Sequence, residues 1–291
     1  MNRRSCNTGI RACVVLFPCL LAAQSHFAWQ DLGDGRTELL ENSNPVLVYN
    51  YGPQLKPGAP ENRRRCCYIF PIYTPGGVSV LDDFPQDHPH HRGLFWSWPV
   101  VETGGRQYDL WMNMTAKHRP GTMKTSDAQL QAENYWQVEG RDIVRENLRI
   151  SLFHARPNER ELELQLTWET LGAPVTLWGS REEGKSYGGL SARFAAREDT
   201  ILRADDQVLA KDEDLNSRRW AELEGVYGGK RAVLRITPDP KNAGVPYQWC
   251  LRKYGFVGAS FPGRTAATDG FTLEPGKPLT LKFRIRLSDI R

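Results

Sequence analysis

Cysteine is scarce in this chain and wrongly spaced for a structural zinc site: the six cysteines, at 6, 13, 19, 66, 67 and 250, include no C-x-x-C pair. Also missing are the glycine-rich phosphate loop, the Rossmann glycine pattern, the G-x-S-x-G nucleophile elbow and H-E-x-x-H, so the common signatures of nucleotide, serine-hydrolase and zinc-protease chemistry are not there. No segment sustains an apolar stripe at helical spacing, and no apolar run approaches the ~20 residues of a membrane-spanning helix. Excess charge is lacking as well. Lys+Arg 38 against Asp+Glu 34 leaves +4, which falls to +1 once Arg3, Arg4 and Arg11 of a leader-like N-terminus are set aside. A chain so close to neutral has no general electrostatic drive toward nucleic acid.

What is present is ordinary globular material: 291 residues, 40% hydrophobic and 25% charged, enough to bury a sizeable core. The N-terminus has a basic start, an apolar run from Ala12 to Ala23 broken by Pro18, and the small-residue stretch Ala23-Gln24-Ser25. Residues 1–25 therefore read as a signal peptide, and the chain as exported to a periplasmic or extracellular space with no membrane span left after cleavage. Leu16-Phe17-Pro18 before Cys19 are poor neighbours for lipid attachment. Cys66, Cys67 and Cys250 remain; adjacent cysteines in an extended chain face opposite ways, so one of the pair is free to bond Cys250, and three buried thiols are the competing reading.

Strand periodicity dominates the rest. Leu162, Leu164, Leu166 and Trp168 alternate with Glu163, Gln165 and Thr167, and Leu279, Leu281, Phe283, Ile285 and Leu287 alternate with polar residues in the same way. Weaker strands are predicted around 36–50, 66–73, 78–81, 94–101, 129–138, 142–154, 174–179, 189–195, 220–227, 231–236 and 247–254, separated by turns such as Gly104-Gly105, Pro157-Asn158 and Gly228-Gly229. The expected fold is all-β, one large antiparallel β-sandwich domain over residues 26–291. The pattern lapses at 82–127 and 203–219, and loops on a rigid scaffold are where chemistry is mounted.

The first lapse holds Asp87-His88-Pro89-His90-His91-Arg92-Gly93, which gathers three of the six histidines into four positions just before Leu94-Phe95-Trp96-Ser97-Trp98. Pro89 biases His88 to an extended backbone, and an extended run turns His88 and His90 to one side. Three readings fit. His88 and His90 hold one divalent metal ion, with His118, His154 or Glu102 as a further ligand. Imidazoles titrating near neutrality pass protons to a substrate while Arg92 steadies an oxyanion or carboxylate. Or the histidines and Arg92 bind a sugar beside Trp96, Trp98 and Trp111. A second cluster, Arg181 to Arg193, brings Tyr187 and Arg193 around Gly188-Gly189, whose missing side chains admit a close backbone approach; Glu182 or Glu183 could serve there as a base, but a solvated loop is the preferred reading for both.

Asp87 to Leu94, Tyr108-Asp109-Leu110-Trp111, Tyr187-Gly188-Gly189 with Arg193, and the segment Pro238 to Arg252 before the closing strands resemble the family labelled methane oxygenase PmoA-like, DUF6807, over most of the chain after the leader. The resemblance implies a β-sandwich related to the galactose mutarotase supersandwich and, by analogy, carbohydrate chemistry. The chain has no membrane helices with which to build a membrane copper monooxygenase. Carried onto this sequence, the pattern points to His90, His91 and Arg92, then Trp111, Tyr187 and Arg193. Where the family tends to carry Asp-His-Pro, this chain has Ile236-Thr237-Pro238.

Together these readings favour an exported carbohydrate-active enzyme, with His90, His91 and Arg92 as the catalytic group and Trp111, His118, Tyr187 and Arg193 around the substrate. A metal-dependent hydrolase or oxygenase using His88 and His90, and a noncatalytic glycan-binding module, are the competing classes. N-terminal sequencing of the secreted protein should begin at His26; a start at Met1 would remove the expectation of export.

Overall fold

The computed structural model describes residues 26–264 and 270–291, so the expected leader lies outside the described residues. The first strands are β1 (Phe27–Gly33), β2 (Arg36–Glu41), β3 (Asn44–Asn50), β4 (Tyr68–Ile72), β5 (Leu94–Ser97), β6 (Val100–Thr103) and β7 (Arg106–Tyr108). Long strands follow: β8 (Ala116–Ser126), β9 (Gln129–Val138), β10 (Arg141–Leu152), β11 (Glu159–Thr170), then β12 (Val175–Trp178), β13 (Gly189–Arg193) and β14 (Glu198–Ala204). The last are β15 (Gln207–Val208), β16 (Ser217–Arg218), β17 (Ala221–Tyr227), β18 (Lys230–Pro238), β19 (Tyr247–Arg252), β20 (Phe256–Ser260), β21 (Phe271–Leu273) and β22 (Leu279–Ile290). The one helical turn among the described residues is a 3-10 segment at Glu61–Arg63. No described helix is long and apolar enough to cross a membrane.

The strands form two nine-stranded sheets and a four-stranded one. The first runs β1-β2-β3-β4-β5-β13-β20-β19-β16, the second β15-β14-β17-β18-β22-β11-β10-β9-β8, and the small sheet β21-β12-β6-β7. Neighbours pair antiparallel, as in Leu164 opposite Phe283 and Ser191 opposite Phe95. The two large sheets share one buried core, to which the first contributes Leu47, Ile69, Trp96, Leu190, Val257 and Leu251, and the second Leu164, Ile236, Phe283 and Ile150. The all-β antiparallel sandwich is as expected. On β11 and β22 every second residue is buried, which is the alternation read from the sequence.

The differences have local causes. The stretch 36–50 is a hairpin, because Asn42 and Ser43 take positive φ between β2 and β3. Residues 78–81 make isolated bridges in place of a strand. β8 lies in the supposed 82–127 loop region; it is the edge strand of the second sheet, exposed along most of its length and shifted in register between Pro120 and Met123, so it shows little alternation. β20 was not anticipated either: every residue in it is buried, which erases period two. Cys66 and Cys67 do not face apart, since Cys67 adopts a φ of 65°.

One polar group sits at the centre of the core. Glu146 on β10 is fully buried, and its Oε2 accepts hydrogen bonds from the indoles of Trp96 (2.8 Å), Trp136 (3.0 Å) and Trp168 (2.8 Å), while Asn134 donates to Oε1 at 3.1 Å. Trp96 belongs to the first sheet and the other partners to the second, so the carboxylate fastens the layers together. Burial pushes its pKa up, and the donors partly offset that shift. Glu146→Leu leaves the three indole N–H groups and the Asn134 amide without their acceptor and should cost about 3–5 kcal/mol in urea unfolding, whereas the isosteric Glu146→Gln, which keeps an acceptor oxygen, should cost less.

Candidate functional site

The outer face of the first sheet is covered by loops, and a cleft opens between them. Its floor begins on β5: Phe95 points outward, and Ser97 Oγ donates to the Leu110 carbonyl at 2.7 Å while the N–H of Trp111 donates to the Trp98 carbonyl. Trp111 is held from behind as well, because Arg65 donates to its carbonyl at 3.1 Å and Arg63 donates to that of Met112. The cleft of about 300 Å³ is lined by His88, His90, His91, Trp111, Met112, Glu182, Lys185, Tyr187, Cys250, Arg252, Tyr254 and Phe256.

The histidine run is not extended. The His91 N–H donates to the His88 carbonyl at 2.8 Å, closing a turn over Pro89 and His90. The turn brings all three imidazoles into the cleft, whereas an extended run would divide them. His88 stacks on His91 (centroids 4.7 Å apart, planes 6° apart) and on Tyr254 (5.2 Å), and His90 meets His91 edge-on at 4.5 Å. Phe256 packs on His91 at 4.9 Å and Trp111 on Tyr187 at 4.8 Å, so the walls are largely aromatic.

Three sequence-predicted residues stand elsewhere. Arg92 is 1% exposed and turned away from the cleft: its guanidinium lies 3.4 Å from the Phe84 ring centroid and donates to the carbonyls of Pro89, His91 and Arg63. It staples the histidine turn to the Arg63–Arg65 segment through backbone carbonyls, while its Nε lies 3.6 Å from Asp83 Oδ1. His118 lies on β8 inside the core, 3.8 Å from Glu146 and 6.1 Å from the Trp136 ring, because that part of the edge strand faces the sandwich. Arg193 adjoins the cleft without lining it; one Nη2 donates to both oxygens of Asp87, at 2.7 and 2.9 Å. Gly188 and Gly189 serve packing: a side chain at Gly189 would meet the Ala259 carbonyl at 2.8 Å.

The metal reading lacks a ligand set. His154 stacks on Phe27, Glu102 accepts from Gln107 on the small sheet, and His118 is in the core. Among the described residues, no three His, Cys, Asp or Glu side chains are grouped to hold a metal ion. The segment Ile236-Thr237-Pro238 closes β18 in the second sheet, with Ile236 in the core, so the missing Asp-His-Pro does not bear on this cleft.

Electrostatics separates the three histidines. Desolvation, then the nearby His88, Arg65, Arg63 and Arg92, pushes His90 down to about 3, and burial pushes His91 well below the usual imidazole range. Both are neutral near pH 7, which corrects the expectation that they titrate there. His88 differs in having Asp87 at its ring, with Nδ1 3.0 Å from Oδ2. Burial raises the Asp87 pKa, but the contacts with His88 and Arg193 more than offset this and hold it low. On the opposite wall Glu182 accepts from Tyr187 Oη and from Lys185 Nζ, each at 2.5 Å, and these bonds keep it charged. The same contact and burial push the Tyr187 phenol well above its usual range.

Asp87, Arg252 and Tyr254 have no role in the sequence reading, which sets Glu182 in a solvated loop in preference to a possible base. Asp87 had a visible signal, its place directly before His88; the others reach the cleft only through folding. The molecule is thus an all-β sandwich with a histidine-aromatic cleft on one outer face. A family profile described as "Family of unknown function (DUF6807)" matches residues 36–290, and the chain belongs to that family. The description names no activity and gives no support to the oxygenase label. No curated protein matches the chain. Among solved structures, a crystal structure of the GalM/aldose epimerase homologue from C. elegans aligns over 92% of this chain and 100% of that one, at 9% identity and a TM-score of 0.34, a likeness too slight to carry an argument.

A depressed histidine pKa has a defined sign. Between pH 6.5 and about 3 the unfolded chain binds a proton that folded His90 does not, so stability falls as pH is lowered through that window. Nitrogen-15 imidazole spectra should show His90 neutral at pH 5, and His90→Gln should lose less stability on acidification than the parent protein; an imidazolium pattern for His90 at pH 5 would contradict the burial argument.

Proposed function

We propose that the protein is exported and acts on a sugar or glycoside in this cleft, with His88 as the residue that transfers the proton. The observation that supports it most directly is the Asp87 carboxylate 3.0 Å from His88 Nδ1, a partner that His90 and His91 lack. A carboxylate this close to an imidazole stabilises the imidazolium that forms when the ring takes up a proton. Arg193 holds both oxygens of Asp87, so the pair is braced from behind.

Glu182 on the other wall supplies a second proton-handling group, paired with Tyr187. Neutral His90 and His91 are then hydrogen-bond partners for hydroxyls, acting as donor or acceptor according to tautomer. Half-buried Tyr187 offers its ring to a pyranose, Trp111, only 3% exposed, backs it from below, and about 300 Å³ is enough for a ring and its substituents. The catalytic assignment thereby moves from His90, His91 and Arg92 to His88, with Asp87 and Arg193 as positioning residues.

The experiment is a panel of sugars and glycosides followed by proton NMR for anomeric exchange, epimerisation and bond cleavage. On the substrate found, His88→Gln should lower kcat by about 100-fold or more with a smaller change in KM, and Asp87→Asn should weaken turnover and shift its pH profile. Full turnover in His88→Gln would sink the assignment, and saturable binding with no product would make the protein a glycan-binding module.

A further inference from the structure

Cys66 and Cys67 are neighbours in sequence, and their thiols are also neighbours in space. Cys67 Sγ lies 3.2 Å from Cys66 Sγ. This needs an unusual backbone, since successive side chains in an extended chain point apart. Cys67 supplies it with a φ of 65°, a region that residues with a Cβ rarely occupy. The conformation is held from outside: the Cys67 N–H donates to the Asn50 carbonyl at 2.7 Å, Arg65 pairs with Gln54 through both backbone groups, and Cys66 Sγ contacts the His118 carbonyl.

We propose that Cys66 and Cys67 are joined by a disulfide between adjacent residues, which locks the turn behind the cleft. The proposal is independent of the sugar chemistry. Cys250 is the wrong partner for either thiol, because β19 lies four strands from β4, or ~19 Å at the usual spacing, whereas a disulfide needs Cα atoms within about 7 Å. Both thiols are only 2% exposed, so the bond forms while the chain is still folding. The oxidant is a protein or small-molecule disulfide. One cysteine thiolate attacks it to give a mixed disulfide and release one donor thiol; the second attacks the mixed disulfide, forming the Cys66–Cys67 bond and releasing the other. Two protein thiols lose two electrons and two protons, and the donor disulfide becomes two thiols.

The consequence reaches the site through one residue. Arg65 directly precedes the pair and donates to the Trp111 carbonyl, so a crosslink that fixes Cys66 and Cys67 also fixes what holds the cleft floor. The test is peptide mapping of the full chain, refolded from reduced, unfolded protein in a mixture of oxidised and reduced glutathione, with free thiols alkylated in denaturant before digestion. The expected result is one peptide holding Cys66 and Cys67, unalkylated and lighter by two hydrogens than its reduced form, with Cys250 alkylated; Cys250→Ala should give the same peptide. Alkylation of both Cys66 and Cys67, glutathione retained on either, or a bond from either to any other cysteine would overturn the proposal.

Discussion

The carboxylate of Glu146 is the contact on which the rest of the molecule depends. A buried carboxylate is costly without donors, and a buried indole N–H is costly without an acceptor. Here each answers the other: three tryptophans from two facing sheets converge on one oxygen. Because Trp96 is one of them, the inward face of β5 is set, and the pleat then points Phe95 and Ser97 outward. Ser97 and the Trp98 carbonyl in turn hold Leu110 and Trp111, so the floor of the cleft hangs from the strand that the core fastens.

A second tie is ionic. Arg160 on β11 and Glu41 on β2, both nearly inaccessible, meet at 3.1 Å, and Arg160 also donates to the Tyr73 carbonyl. Buried pairs of this kind add little net stability, but breaking one leaves a lone charge inside. Their value here is registry, since each links a residue of the first sheet with one of the second. The outer face of the first sheet is thereby held rigid enough to carry loops with chemistry on them.

Within the cleft, burial and positive neighbours act together. Arg63, Arg65 and Arg92 stand behind the histidine turn, and their field adds to desolvation in keeping His90 neutral. His88 alone of the three has a carboxylate, that of Asp87, at its ring. Three identical side chains within four consecutive positions thus acquire different surroundings from what packs against each, and the carboxylate beside one of them is braced by an arginine 106 residues away in sequence.

The β class, the long alternating strands β11 and β22, and the position of the histidine block were legible in the residues, because period two and unusual local composition are properties of neighbouring positions. Trp111 and Tyr187 were also recognisable as cleft residues from their motifs. What the local pattern could not carry was β20, buried on both faces, the edge strand β8, and the turn that gathers His88, His90 and His91. Nor could it show that Arg92 would be spent on backbone carbonyls, or that His118 would sit beside Glu146 in the core. Those outcomes depend on which distant groups meet a side chain, and desolvation, ion pairing and hydrogen-bond partners are settled only when the sheets close.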